Sequence, residues 1–151
     1  MPTLRLIPMD RNGEPVEPIA DLPEVVQGFA GAYRHLYGEV GFSPPWTGYY
    51  AVDGGQFIGC CGYKSPPANG RVEIAYFTMP PLEGRRYATT MAEQLIQVAA
   101  AADPSVVVFA QTLPNENAST TILKRLGFEL LGTVEHPEDG PVWEWQQRKS
   151  Q

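Results

Sequence analysis

Apolar and polar positions change period several times along this chain, and each change marks an element. Leu4, Leu6 and Ile7 predict a first short strand. Residues 13–23 are rich in Pro and acid and read as a loop. Residues 24–40 have helical spacing, with Val25, Phe29, Ala32, Tyr33, Leu36 and Tyr37 on one side. Gly28, Gly31 and Gly38 weaken that helix and leave open a broken helix or two short ones beside the single one. A Pro-containing loop, 42–46, leads into two strand-like runs, 46–52 and 56–63. They flank Asp53-Gly54-Gly55, a strong tight-turn signal. A second turn, 64–70, precedes a strand over 71–78, closed by Met79-Pro80-Pro81.

Helical spacing resumes over 90–99 and stops at Asp103-Pro104. Val106, Val107, Val108 and Phe109 then form the apolar run of a buried strand. A helix between two strands implies that they are parallel. A further helix within 113–126 has Ile122, Leu123 and Leu126 on its apolar face, and Gly127 ends it. Residues 128–134 and 142–146 read as a closing antiparallel pair. The order β-α-β-β-β-α-β-α-β-β predicts an α/β layer fold with a mixed, mostly antiparallel sheet flanked by helices. With 151 residues and no linker or repeat, one domain over 1–151 is expected.

Composition narrows the function classes. Hydrophobic content of 43% with 19% charged residues is that of a globular chain. A net charge of −6 argues against a nucleic-acid partner, which needs a basic face. No apolar run is long enough for a membrane span, and no secretory pattern opens the chain. Cys60 and Cys61 are adjacent on a strand, so they point to opposite faces and cannot bridge. One of them is expected to face the core. This suits a reducing cytoplasm. His35 and His136 are isolated, and no metal-ligand spacing is legible.

The chemistry concentrates after the 71–78 strand. Glu83-Gly84-Arg85-Arg86-Tyr87-Ala88-Thr89 carries a glycine and two cations into a helix start. Free amides and the helix dipole favour an anion there, by ~0.3–1 kcal/mol for the dipole alone. Glu73 sits mid-strand between Val72 and Ile74. It is either a solvated strand position or a carboxylate at a cleft mouth with raised pKa. Asn117 and Ser119 stand where a helix cap is expected.

Taken together, residues 49–145 resemble the GNAT N-acetyltransferase superfamily, most closely the ribosomal-protein N-terminal acetyltransferase branch. Members of that branch carry a Gly-Tyr-Ala-Thr-like helix start, an Asn-x-Ala-Ser motif and Leu-Gly-Phe. Here these are Tyr87-Ala88-Thr89, Asn117-Ala118-Ser119 and Leu126-Gly127-Phe128. The resemblance implies acetyl-CoA as acyl donor, with no metal. Its pyrophosphate would lie on the Gly84, Arg85, Arg86, Tyr87, Ala88 and Thr89 loop. Its pantetheine arm would pair with the strand at Phe77 and Met79 and meet Asn117. The resemblance also implies Glu73 as base or water-positioner and Ser119 as acid at the leaving sulfur. Lys124 is a further candidate for a CoA phosphate, against a solvated reading.

Two residues depart from the family's loop. Glu83 stands where Gln or Arg is usual, and Arg86 where Gly is usual. They keep open a second function, an acyl-CoA-binding or sensor module with little catalysis. The acceptor implied is a small-molecule amine or a peptide N-terminus. Aromatics and acids in the first segment, among them Tyr33, Tyr37, Phe42, Trp46, Tyr49 and Glu39, suit a cationic acceptor. A monomer or a homodimer is expected.

Overall fold

The computed structural model describes residues 3–148. Its strands are β1 (Leu4–Pro8), β2 (Gly48–Asp53), β3 (Gln56–Tyr63), β4 (Arg71–Thr78), β5 (Val107–Thr112), β6 (Phe128–His136) and β7 (Gly140–Gln147). Its helices are α1 (Val26–Val40), α2 (Tyr87–Ala102) and α3 (Ala118–Arg125), and a 3-10 turn spans Pro80–Leu82. The element order is the one the hydrophobic pattern predicts.

The strands form one seven-stranded sheet in the order β1-β2-β3-β4-β5-β7-β6. All pairs are antiparallel except β4 and β5, which the α2 crossover makes parallel. The β2–β3 connection is the tight turn expected from Asp53-Gly54-Gly55. Gly54 and Gly55 have φ of 59° and 86°, the left-handed conformation that such a turn requires. Between β3 and β4 the backbones approach so closely that a Cβ on Gly59 would lie 1.9 Å from the Phe77 carbonyl oxygen.

Strand alternation divides the core in two. Tyr49, Ala51, Ile58, Cys61, Val72, Ile74, Val108, Ala110 and Trp145 pack with α2 and α3 residues such as Met91, Leu95 and Leu123. Tyr50, Val52, Phe57 and Cys60 pack on the other face with Val26 of α1 and with Ile7 and Met9. Both cysteines are therefore buried, each in a different core, because helices cover both faces of this part of the sheet. That corrects the expectation that only one of them would face the core.

α1 resolves the alternatives that its glycines left open. It is one continuous helix despite Gly28, Gly31 and Gly38. An interior glycine costs ~1 kcal/mol relative to alanine. Burial of Val26, Ala30 and Tyr37, with Phe29 and Tyr33 packed beside them, outweighs that cost. The buried stripe is rotated from the predicted one, since Val25 is exposed and Ala32 faces solvent. Among the described residues, no helix is long and apolar enough to cross a membrane.

Candidate functional site

β4 and β5 pair only at Arg71↔Val107, Val72↔Val108 and Glu73↔Phe109. Past Glu73 they diverge, and β5 keeps only its β7 partner over 110–112. The direction of the unused main-chain groups follows from the alternation. Met79 N–H donates to the Ile58 carbonyl (2.9 Å), and the Glu73 carbonyl accepts from Lys64 N–H (3.0 Å). Odd-numbered β4 residues therefore face β3. Gly70 O accepts from Val107 N–H (2.8 Å), so even-numbered residues face β5. The main-chain groups of Tyr76 and Thr78 consequently point into the gap, where an amide-bearing ligand could satisfy them.

The β4 side of that gap borders a cleft of about 490 Å³. β4 contributes Tyr76, Phe77 and Thr78. The following loop contributes Leu82, Glu83, Gly84 and Arg86, the start of α2 Tyr87, Ala88 and Thr89, and α3 Ala118, Ser119, Thr121, Ile122 and Arg125. Seven residues singled out from the sequence thus meet in one place: Phe77, Gly84, Arg86, Tyr87, Ala88, Thr89 and Ser119.

The loop has features that suit an anion. Gly84 has φ 82°, and Arg86, at the N-cap of α2, has φ 66° and ψ 13°. A residue in that left-handed conformation turns the chain so that the first amides of α2 face the cleft, a nest-like arrangement. Among the described residues, no side chain caps this helix start. Arg86 and Arg125 bring positive charge to the wall, against the carboxylate of Glu83. Thr78 Oγ1 is buried without a hydrogen-bond partner in the protein, an orphan on the same wall. An uncapped helix start, an unpaired strand edge and an orphaned hydroxyl fit a long ligand with an anionic end and an amide-bearing arm. Acetyl-CoA has that chemistry.

Four predicted residues do not line this cleft. Arg85 is exposed beside it. Met79 lines a separate hollow with Phe57 and Pro81, and its amide is already donated to Ile58. Asn117 caps α3: its Oδ1 accepts from Thr120 N–H (3.1 Å) while Thr120 Oγ1 accepts from Asn117 N–H (3.0 Å). Glu73 lies at the fork itself, on the sheet face opposite Tyr76. Burial raises its carboxyl above the ordinary carboxylate range. Lys64 lowers it in opposition, Glu144 raises it further, and His136 and Arg71 lower it.

The neighbours of several side chains emerge only in three dimensions. Burial pushes the Tyr76 phenol up to about 12, partly offset by the neighbouring Ser119 hydroxyl. Tyr87 spends its hydroxyl on Asp53 Oδ2 (2.7 Å), which ties the start of α2 to the β2–β3 turn. Lys124 pairs with Glu116 (2.9 Å), and it is Arg125 that faces the cleft. The signal for Arg125 was its helical spacing from Ser119 and Ile122, three residues at a time. That for Tyr76 and Thr78 was their alternation with Val72 and Ile74. No group of three or more His, Cys, Asp or Glu among the described residues could hold a metal.

Comparison with known proteins gives the following. No curated protein matches significantly. Among solved structures, the ribosomal L7/L12 alpha-N-protein acetyltransferase RimL, in complex with coenzyme A, is 16% identical. The match covers 96% of this chain and 93% of that one, with a TM-score of 0.70. A ribosomal-protein-S5-alanine acetyltransferase from Vibrio fischeri is 15% identical over 67% of this chain and 60% of its own, with a TM-score of 0.60. The aminoglycoside acetyltransferase AAC(6')-Ib, with coenzyme A, is 23% identical over 68% of this chain and 66% of its own, with a TM-score of 0.58. At such identities these likenesses carry the fold. The sequence itself carries more: residues 21–129, from before α1 into β6, match the Acetyltransferase (GNAT) domain, and the chain belongs to that acetyltransferase family.

Proposed function

We propose that this protein is an acetyl-CoA-dependent N-acetyltransferase that acts on a primary amine of a small molecule or a protein N-terminus. The observation that carries the reading is the β4–β5 fork. On one face it opens into the cleft and the uncapped start of α2, and on the other it carries a half-buried carboxylate, Glu73. Related folds belong to enzymes named for aminoglycoside and ribosomal-protein N-terminal acetylation, which supports an amine acceptor. Two buried free cysteines suit a reducing, cytoplasmic setting.

In this reading the amides of Tyr87, Ala88 and Thr89 hold the pyrophosphate, and the β4 edge at Tyr76 and Thr78 orients the pantetheine arm. Glu73, with its raised pKa, takes the proton from the acceptor ammonium. The freed amine attacks the thioester carbonyl carbon. A C–N bond forms, the C–S bond breaks, and Ser119 O–H, with Tyr76 beside it, gives its proton to the departing sulfur, while the nitrogen sheds its second proton to water and water reprotonates Ser119.

Calorimetry with acetyl-CoA, together with thiol release against a panel of amines, tests the assignment. Binding with amine-dependent thiol release is expected. No binding at millimolar acetyl-CoA would sink it. Binding without release on any amine would replace it with an acyl-CoA-binding or sensor module, the reading favoured by the Glu83 carboxylate in the cleft wall.

A further inference from the structure

Arg71 and Glu73 share a strand face two residues apart, yet no ion pair joins them among the described residues. The reason lies on β7. Arg71 Nη2 donates to Glu144 Oε2 (2.8 Å), and Arg71 Nε donates to Gln146 Oε1 (3.0 Å). Its guanidinium carbon stands 4.0 Å from the centroid of the Phe109 ring. Phe109 is the β5 residue registered directly against Glu73. The guanidinium is thus held over Phe109 and against β7 by three contacts, and none of them is to Glu73. Gln111 Nε2 donates to the other oxygen of Glu144 (3.2 Å) and fixes that carboxylate in place. The clamp spans three strands at the point where β4 and β5 part, and its central pair is largely shielded from solvent.

We infer that Glu144 is a positioning residue for Glu73: by holding the Arg71 guanidinium on the β7 side, it keeps that cation off the Glu73 carboxylate. An arginine free to pair with Glu73 would stabilise its charged form and make it a weaker base. The groups that face Glu73 are Arg71 on its own strand, Lys64 before β4, His136 at the end of β6, Glu144 on β7 and the Tyr33 phenol of α1. Arg71 is the one among them that a second carboxylate diverts through hydrogen bonds in this structure. The functional meaning of this device rests on Glu73 being the base of the proposed reaction; its electrostatics do not.

The test reads Glu73 directly. Carboxyl NMR titration of carbon-13-labelled glutamate, assigned by Glu73→Gln, gives the Glu73 midpoint in the whole chain. In Glu144→Gln the like charge is gone and Arg71 is released. The midpoint is expected to fall by about one pH unit, the low end of the effect of a cation arriving beside a carboxylate. The acid limb of kcat/KM should move with it. In Glu144→Gln combined with Arg71→Gln the midpoint should return toward the wild-type value. An unmoved midpoint in Glu144→Gln, or a fall that persists in the double variant, overturns the inference. A purely structural role for Glu144 would lower Tm and leave the midpoint in place. Should Glu144→Gln fail to fold, Gln111→Ala loosens the same carboxylate more gently, and a smaller fall is expected; no fall overturns the inference. If the midpoints behave as stated while Glu73→Gln keeps full turnover, the electrostatic device stands and the base assignment fails.

Discussion

Replacement of Arg86 by glycine separates the backbone of the anion loop from its charge. Arg86 is the one cleft-lining residue other than glycine with positive φ, 66°, at the N-cap of α2. A side-chain-bearing residue in that region costs ~1–2 kcal/mol. Glycine removes the cost but adds freedom to the unfolded chain, which takes back ~0.5–1 kcal/mol. Removing a cation from the positive end of a helix adds ~0.3–1 kcal/mol. Arg86→Gly is therefore expected to stabilise the protein by ~1 kcal/mol, a rise in Tm of ~2–4 °C for a chain of this size. Arg86→Ala removes the charge and keeps the backbone cost, so its gain is limited to ~0.3–1 kcal/mol. Urea denaturation of the three proteins without ligand measures both differences. A glycine variant no more stable than the alanine variant would refute the left-handed assignment. Acetyl-CoA binding makes a second comparison. An exposed cation beside a phosphate is worth ~1 kcal/mol or less, about fivefold in Kd. Both variants should stay within that range if the amides of α2 provide the anchor. A hundredfold loss in either would move the anchor to the Arg86 side chain.

Three further outcomes are expected. Glu73 is raised in the folded state, so its ionisation opposes folding. Near pH 3, where it is protonated folded and unfolded alike, Glu73→Gln should match wild type. As pH rises through the folded-state value the variant should become the more stable, with the gap fully open at pH 7–8 by urea denaturation. The same variant should lose ~10²–10⁴-fold in turnover while still binding acetyl-CoA. Ser119→Ala should lower kcat roughly tenfold or more with KM for acetyl-CoA little changed; an unchanged kcat would remove Ser119 as the acid. Tyr87→Phe removes the bond to Asp53 and should cost ~0.5–1.5 kcal/mol of stability with turnover intact; a collapse of kcat would make Tyr87 the acid instead.

The parts of this protein that were legible in its sequence are those whose physics is local. Asp53-Gly54-Gly55 forms its turn because two successive residues need positive φ. The β4–β5 pair is parallel because a helix separates the strands. The loop before α2 was visible because a glycine and two cations precede an apolar helical run. Asn117 was legible only as one of two alternatives, and its side chain is spent on the cap. The continuity of α1 stays open in the sequence because local propensity competes there with burial: the cost of three glycines is additive and small, and the packing of Val26, Ala30 and Tyr37 is not encoded nearby.

By itself, then, the sequence determined the order of elements, the direction of each crossover and the position of the helix start that can hold an anion. These follow from backbone conformations and hydrophobic periods that span a few residues. Only the tertiary structure decided which main-chain groups of β4 face the fork, Tyr76 and Thr78 rather than Phe77 and Met79. It alone put Arg125 and not Lys124 on the cleft wall. It alone joined Arg71 to Glu144 across 73 positions of chain, beside Glu73. Contacts at that separation exist only once the sheet has set its register, because a one-residue slip would carry each of these side chains to the other face.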